Sequence, residues 1–335
     1  MYLSLGTRNV LSAQSGQNAS SVVLVLGGNG FIGSSLVAKL LLMDGYKVTT
    51  LNRGRHYFDS GSRIDTHDIL QILRGRFERY IYISSDSVYE VCIKNPHGGP
   101  SREEDAIRPR DPRERHEINM ADYYSHQKLG CEEVLQNERK LNGINYVSLR
   151  LPYVIGPRDT TDRFWNYQIW LLTHQLDGSL GPVHLNPNIN KLLNFVYSED
   201  VSDLIAKLLE VELDVYNEAY NVAFKPVTLE RFLGIMAGSL GVDVVFNRTD
   251  EANLHWYPPM THGSTSTAKV IQKLNWKPSS LETAIRSSCE FYQRAMSVWK
   301  YKIRRDRILQ RYLPNKVLRE RFLKDQLNDV SREEL

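Results

Sequence analysis

The chain has no apolar run near the roughly 18 residues of a membrane span, and Leu36 to Met43 is interrupted by Lys39. No membrane association is therefore expected. Its three cysteines, Cys92, Cys131 and Cys289, are widely spaced, with no Cys-x-x-Cys and no histidine cluster. That spacing argues against a zinc site or a disulfide framework, so no metal is expected and the thiols read as buried and reduced. Charge of one sign is scarce too: the net charge is +3 with a pI near 8.6, too mild to call for a nucleic-acid or membrane partner. Residues 1–20 carry a single charged side chain, Arg8, and no apolar stretch. They lack the marks of a secretory signal and have fewer arginines than a mitochondrial transit peptide, so they read as an unstructured tail on a cytoplasmic protein. What remains, 335 residues with 41% hydrophobic content, suits a main domain with a smaller one.

Order begins at Ser21 to Leu26, an aliphatic run of the kind that forms a strand buried on both faces. The turn Gly27-Gly28-Asn29-Gly30-Phe31-Ile32-Gly33 follows, then apolar residues at helical spacing from Phe31 to Met43, and a second strand from Lys47 to Leu51. Strand, glycine turn, helix and strand make one βαβ unit, in which the glycines let backbone approach a pyrophosphate at the helix N-terminus. Gly27, Gly30, Phe31, Ile32 and Gly33 are the expected cofactor contacts. The second strand runs into Asn52-Arg53-Gly54-Arg55, where an NAD-selective site would place an acid on the ribose. Asn52 and Arg53 stand there instead, and guanidinium groups suit a 2′-phosphate, which favours NADP over NAD.

From Asn52 to Tyr80 the chain holds one plausible helix, Asp68 to Phe77, where a dinucleotide fold would ordinarily place two further strands. The sheet is therefore expected to be abbreviated: either the strand Tyr80 to Ser84 moves in beside Val22 to Leu26, or a gap opens. Arg102 to His116 reads as a solvated loop and Asn119 to Asn142 as one helix. Further strands are expected at Tyr146 to Leu149, Leu193 to Tyr197 and Tyr220 to Ala223. From Trp299 the chain is basic and reads as two amphipathic helices split by Pro314.

Tyr124 and Lys128 form a Tyr-x-x-x-Lys step, which places both on one helical face. The ammonium can lower the phenol's pKa and favour the phenolate that takes a proton from a substrate hydroxyl. Ser84 and Ser85, at the carboxyl end of a strand, can supply a hydroxyl to the same oxygen. Facing a nicotinamide, such a set performs carbonyl and alcohol redox chemistry.

The glycine turn, the strand end Ile83-Ser84-Ser85-Asp86-Ser87-Val88-Tyr89, the Tyr-x-x-x-Lys step and Arg150-Leu-Pro-Tyr-Val-Ile-Gly-Pro-Arg158 occur in one order. In this the chain resembles the extended short-chain dehydrogenase/reductase superfamily of NAD-dependent epimerases and dehydratases. Asn52-Arg53-Gly54 and the passage from Gly156 to Phe164 are similar to its atypical branch that includes chloroplast stem-loop RNA-binding proteins. The resemblance implies an α/β fold with a Rossmann-like doubly wound parallel sheet and a smaller C-terminal substrate domain. It assigns Ser85 as the hydroxyl partner, Tyr124 as acid/base, and Lys128 as ribose contact and pKa tuner. Tyr123 stays a neighbour that packs the helix. Arg158 and Arg163 stand where the substrate domain begins, and each suits either a sugar-nucleotide diphosphate or a surface salt bridge. Sugar dehydratases of the superfamily read Thr-Asp-Glu before Val-Tyr. Ser85-Asp86-Ser87 lacks the second carboxylate, which favours epimerase or reductase chemistry and leaves Asp86 as a candidate acid or a cap of the strand-end turn.

The expected division is a tail at 1–20, a dinucleotide-binding domain at 21–156, a substrate domain at 157–295 whose elements at 192–223 return to the sheet, and a basic helical tail at 296–335. The leading reading is an NAD(P)-dependent epimerase or reductase acting on a small hydroxylated substrate such as a sugar nucleotide. The alternative is a catalytically impaired pseudoenzyme or isoform acting as a binding protein, for which RNA is one candidate partner.

Overall fold

The structure is a computed structural model describing residues 5–9, 21–52, 63–173, 183–185, 191–249 and 256–330. The chain divides into two units. The first comprises Met1–Val154, Asn194–Lys225 and Met260–Pro278, and the second Ile155–Leu193, Pro226–Pro259 and Ser279–Leu335.

The main elements of the first unit are β1 (Leu5–Asn9), β2 (Ser21–Leu26), α1 (Phe31–Leu41), β3 (Tyr46–Leu51), α2 (Arg63–Leu73), β4 (Arg79–Ser85), α3 (Pro112–Ala121), α4 (Tyr123–Asn142), β5 (Asn145–Leu151), α5 (Ser198–Leu208), β6 (Glu218–Asn221) and α6 (Ala268–Leu274), with a short strand at Phe195–Tyr197 besides. β2 and β3 pair in parallel from Ser21↔Tyr46 to Leu26↔Leu51. β4 and β6 flank β5, both parallel to it. The period of two along β4 sends Ile81 and Ile83 to one face and Tyr80 and Tyr82 to the other. The first pair joins Leu36, Leu40, Val201, Leu204 and Val147 in a core with α1 and α5. The second pair meets Leu70, Cys131, Leu135 and Tyr146 under α2 and α4. Helices thus cover both faces of parallel strands, the doubly wound arrangement, and each fully buried aliphatic side chain contributes about 1.5–3 kcal/mol.

The abbreviated stretch resolves in a third way. β1 pairs antiparallel with β2, from Leu5↔Val25 to Asn9↔Ser21, and its Cα trace comes within 8 Å of β4. A segment from the tail supplies β2 with the neighbour the short stretch does not provide. The expectation of an unstructured tail is corrected for these five residues; 1–4 and 10–20 lie outside the described residues.

Other boundaries differ for local reasons. The expected loop at Arg102 to His116 contains the start of α3, where Asp111 accepts the N–H groups of Arg113 and Glu114 and Pro112 takes the first helical position. The expected single helix from Asn119 breaks at Asp122, which caps α4 by accepting the Ser125 N–H at 2.9 Å. α2 begins at Arg63 and ends at Leu73 instead of Phe77, because Gly75 turns the chain at φ +68°.

In the second unit Phe164, Trp165, Tyr167 and Trp170 on the helix Arg163–Thr173 are 0–2% exposed and form its core. Phe164 stacks on Tyr292 at 5.8 Å. The basic tail is tied to this unit: Arg304 and Arg307 both pair with Asp162, and Arg311 donates to Asn166 Oδ1 at 2.9 Å beneath the Trp256 ring.

Candidate functional site

The glycine turn leaves β2 at Gly27, whose φ of +84° is the left-handed region that favours glycine. A Cβ on Gly33 would lie 2.2 Å from the Gly27 carbonyl oxygen, so helix and turn touch at a spacing only glycine permits. Gly30 precedes α1, and no side chain caps the helix. The first N–H groups, of Phe31, Ile32 and Gly33, have no carbonyl one turn back, while the Phe31 and Ile32 side chains are buried in the core. An uncapped helix start behind a close glycine turn is a donor set that fits a pyrophosphate. Asn52 fixes the turn's other side, its Oδ1 accepting the Asn29 N–H at 2.9 Å. Arg53 and Arg55 lie outside the described residues.

The chemistry-bearing side chains gather at the carboxyl end of β4. Lys128 is 3% exposed, and its Nζ donates to the Ile83 carbonyl at 2.8 Å. It lies 5.1 Å from the Tyr82 ring centre and 5.8 Å from that of Tyr124. Burial lowers the Lys128 pKa to about 8 despite the opposing pull of Cys131 and Glu132. Tyr124 is 56% exposed, one turn before Lys128 and within reach of solvent. Tyr123 is 63% exposed, with its ring 6.3 Å from that of His126 on the same helix. Ser85 opens the 3₁₀ turn Asp86–Val91, accepting the Ser87 N–H at 3.2 Å and the Ser87 hydroxyl at 2.8 Å. The cap of this turn is therefore Ser85 and not Asp86.

Beneath these residues runs a network that sequence reasoning missed. Glu132 accepts the Ser84 hydroxyl at 2.5 Å and pairs with Arg150 at 2.7 Å. Arg150 donates to the Tyr89 hydroxyl at 2.9 Å, which donates to Asn221 Oδ1 at 2.8 Å. Burial works against the guanidinium, yet the Glu132 and Tyr89 contacts hold its pKa above the ordinary value. The available signal was Glu132's place four residues after Lys128, on the same helical face.

Arg158 and Arg163 belong to the second unit. Arg158 sits at φ +67° with a buried Nε that has no hydrogen-bond partner among the described residues, and Arg163 begins the helix Arg163–Thr173. Among the described residues no cluster of three or more His, Cys, Asp or Glu could hold a metal, and no helix is long and apolar enough to cross a membrane.

Parallel strands wrapped by helices, a glycine turn, and a Tyr-x-x-x-Lys helix over a Ser-Ser strand end define a Rossmann-like α/β protein. Residues 64–223 match the model of the NAD dependent epimerase/dehydratase family, the family that the motifs resemble. The matched stretch holds Ser85, Tyr124, Lys128 and Arg150; the glycine turn lies before it. The fold is similar to a UDP-glucuronic acid 4-epimerase from Bacillus cereus in complex with NAD, at 18% identity and a TM-score of 0.60, covering 82% of this chain and 98% of that one. It is also similar to a UDP-glucose 4-epimerase from Thermotoga maritima with UDP-glucose, at 18% identity and a TM-score of 0.58 over 82% and 99% of the chains. A third is RMD from Pseudomonas aeruginosa complexed with NADPH, at 18% identity and a TM-score of 0.59 over 80% and 98%. Comparison with curated proteins gives no match.

Proposed function

We propose that the chain is an NAD(P)-dependent oxidoreductase of the epimerase or reductase kind, acting on a hydroxylated substrate such as a sugar nucleotide. The observation that carries this reading is Lys128, buried at the end of β4, donating to Ile83 while lying 5.8 Å from the Tyr124 ring. When bound, a nicotinamide cofactor supplies a place for a hydride to go to and return from. Tyr124 takes the substrate's hydroxyl proton, and the Lys128 ammonium steadies the phenolate and reaches the ribose. Because the Ser85 oxygen already accepts from Ser87, its own hydrogen remains to donate to the substrate oxygen. Gly27, Gly30, Phe31, Ile32 and Gly33 hold the pyrophosphate, Asn52 serves the adenosine end, and Arg53, next to it in the sequence, favours NADP over NAD.

In this reading 21–156 is the dinucleotide-binding domain and 157–295 the substrate domain, with Arg158 and Arg163 toward a diphosphate. The three buried thiols suit a cytoplasmic protein. Of the two motives for the RNA-binding alternative, the C-terminal arginines lend less weight, since Arg304, Arg307 and Arg311 each have a partner within their own unit. Calorimetry with NADP(H) and NAD(H), followed by turnover of UDP-glucose, UDP-galactose and UDP-glucuronic acid, tests the proposal. Binding of neither cofactor overturns it.

A further inference from the structure

A second group of ionisable side chains adjoins Ser85. Asp86 follows it directly, Glu90 lies on the same 3₁₀ turn, and His262 arrives from a segment remote in sequence. The His262 and Asp86 side chains are 5% and 7% exposed, with Nε2 4.0 Å from Asp86 Oδ2. The same nitrogen is 4.0 Å from Glu90 Oε1, and the ring lies against Tyr89 with centroids 5.3 Å apart. Among the described residues neither ring nitrogen has a hydrogen-bond partner beyond His262's own backbone. Glu90 is already engaged, accepting the N–H groups of Thr261 at 2.7 Å and His262 at 3.3 Å and the Thr261 hydroxyl. It anchors the segment and leaves the imidazole nitrogens idle.

Each idle buried polar group costs about 1–3 kcal/mol, and an apolar ring would fill the same space without that cost. Two polar atoms 4.0 Å apart can both reach one ligand oxygen at ordinary hydrogen-bond distance. Protonation states complement the geometry. Burial, and after it the charge of Glu90, pushes Asp86 up to about 8, so at neutral pH it is a carboxylic acid that donates. Burial holds His262 below the ordinary histidine value, against the pull of Glu90, so its ring keeps a lone pair that accepts. A donor and an acceptor stand 4.0 Å apart, and the donor is next in the chain to Ser85.

We propose that Asp86 and His262 form a second acid–base pair, acting on the carbon next to the one oxidised with Tyr124, in a substrate carrying several hydroxyls. The pair rests on the oxidoreductase reading above. In that reading the carbinol C–H gives its hydride to the bound nicotinamide and its O–H gives its proton to Tyr124, leaving a ketone. The neighbouring C–H, acidified by that ketone, gives its proton to His262. The electron pair of the broken bond forms an enolate, and Tyr124 returns its proton to the enolate oxygen. The imidazolium, exchanging with solvent through Asp86, protonates the carbon again, Tyr124 regains the oxygen's proton, and the hydride then returns. Nothing is oxidised or reduced overall, and a solvent hydrogen remains on the carbon.

The test uses the full chain in D2O with NAD+ or NADP+ and UDP-glucose, UDP-galactose or UDP-glucuronic acid. It reads nicotinamide absorbance and deuterium in the recovered sugar. Wild type is expected to do both, and Tyr124→Phe neither. His262→Asn, His262→Gln and Asp86→Asn should still reduce the cofactor while deuterium uptake falls about a hundredfold or more. Retained reduction shows that these variants are folded. Reduction without deuterium in wild type, or wild-type uptake in the His262 variants, overturns the pair alone. Absence of reduction with every sugar overturns the oxidoreductase reading and the pair with it. Independently of turnover, ¹³C-histidine spectra of Tyr124→Phe should show a His262 ring that is neutral at neutral pH; a ring titrating like an exposed histidine overturns the pair.

Discussion

Glu132 and Arg150 form an ion pair in which the side chains are 1% and 3% exposed and Oε2 lies 2.7 Å from Nη2. It joins α4, one turn beyond Lys128, to β5, and through Ser84 and Tyr89 to β4 and the turn after it. The elements bearing Ser85, Tyr124 and Lys128 are thus held by one buried network, whose loss is expected to loosen the site before it melts the fold.

Arg150→Met leaves the Glu132 carboxylate buried without its partner, and is expected to lower stability by about 3–5 kcal/mol. Adding Glu132→Leu to Arg150→Met should recover much of that loss, because it removes the stranded charge. Urea unfolding of the single and double variants checks this; equal losses in both would refute it.

Tyr124→Phe deletes only the hydroxyl that carries the proton, so turnover should fall by about 10²–10⁴ with cofactor binding unchanged. Tyr123→Phe, at a 63% exposed position, should leave turnover alone and change stability by no more than about 0.5 kcal/mol. Steady-state rates of the two variants, with calorimetry, decide which phenol acts.

Lys128 makes stability depend on pH in a definite direction. Its folded pKa is lowered to about 8, whereas in the unfolded chain it is an ordinary lysine near 10.4. Between these values the unfolded state binds the extra proton, so the Lys128 contribution to stability rises with pH through this window and is flat below it. The full rise is on the order of 3 kcal/mol. Subtracting Lys128→Met unfolding free energies from those of wild type across the window isolates the effect. A difference that stays constant or falls with pH would contradict it.

The sequence made some parts of this structure readable and hid others. β2, the glycine turn, α1 and the Ser-bearing strand carry local patterns, a buried aliphatic run and a period near 3.6, that survive without tertiary context. α3 was hidden because its charged, Pro-flanked residues look like a loop, although Asp111-Pro112 spells a cap. His262 was unreadable because nothing local joins it to Asp86; only the folded chain sets the two side chains 4.0 Å apart. β1 was unreadable for a different reason: its partner is defined by what the segment between Asn52 and Tyr80 leaves out.

Gly33→Ala tests the donor turn. The added Cβ would fall 2.2 Å from the Gly27 carbonyl oxygen, and that oxygen is backbone and cannot swing away. The turn must shift, so cofactor affinity is expected to fall by about tenfold or more, each 1.4 kcal/mol of distortion being one factor of ten. Calorimetry with NADP(H) measures it, and unchanged affinity would mean that the turn does not touch the cofactor.

The last prediction concerns β1. With β2 paired on one side and β4 within 8 Å on the other, a proline in β1 removes an N–H that either neighbour would use, and its ring cannot sit in the interior of a sheet. Thr7 pairs with Val23 at the middle of the register. Thr7→Pro is therefore expected to unpair β1 and leave one edge of β2 open, which should raise hydrogen exchange at Val22 to Val25 while leaving the β4–β5 amides protected. Because β2 leads directly into Gly27, cofactor affinity should fall as well. Thr7→Ala, which keeps the backbone N–H, serves as the control. Equal protection of Val22 to Val25 in both variants would show that β2 does not rely on β1, and that the short segment leaves β2 with an open edge.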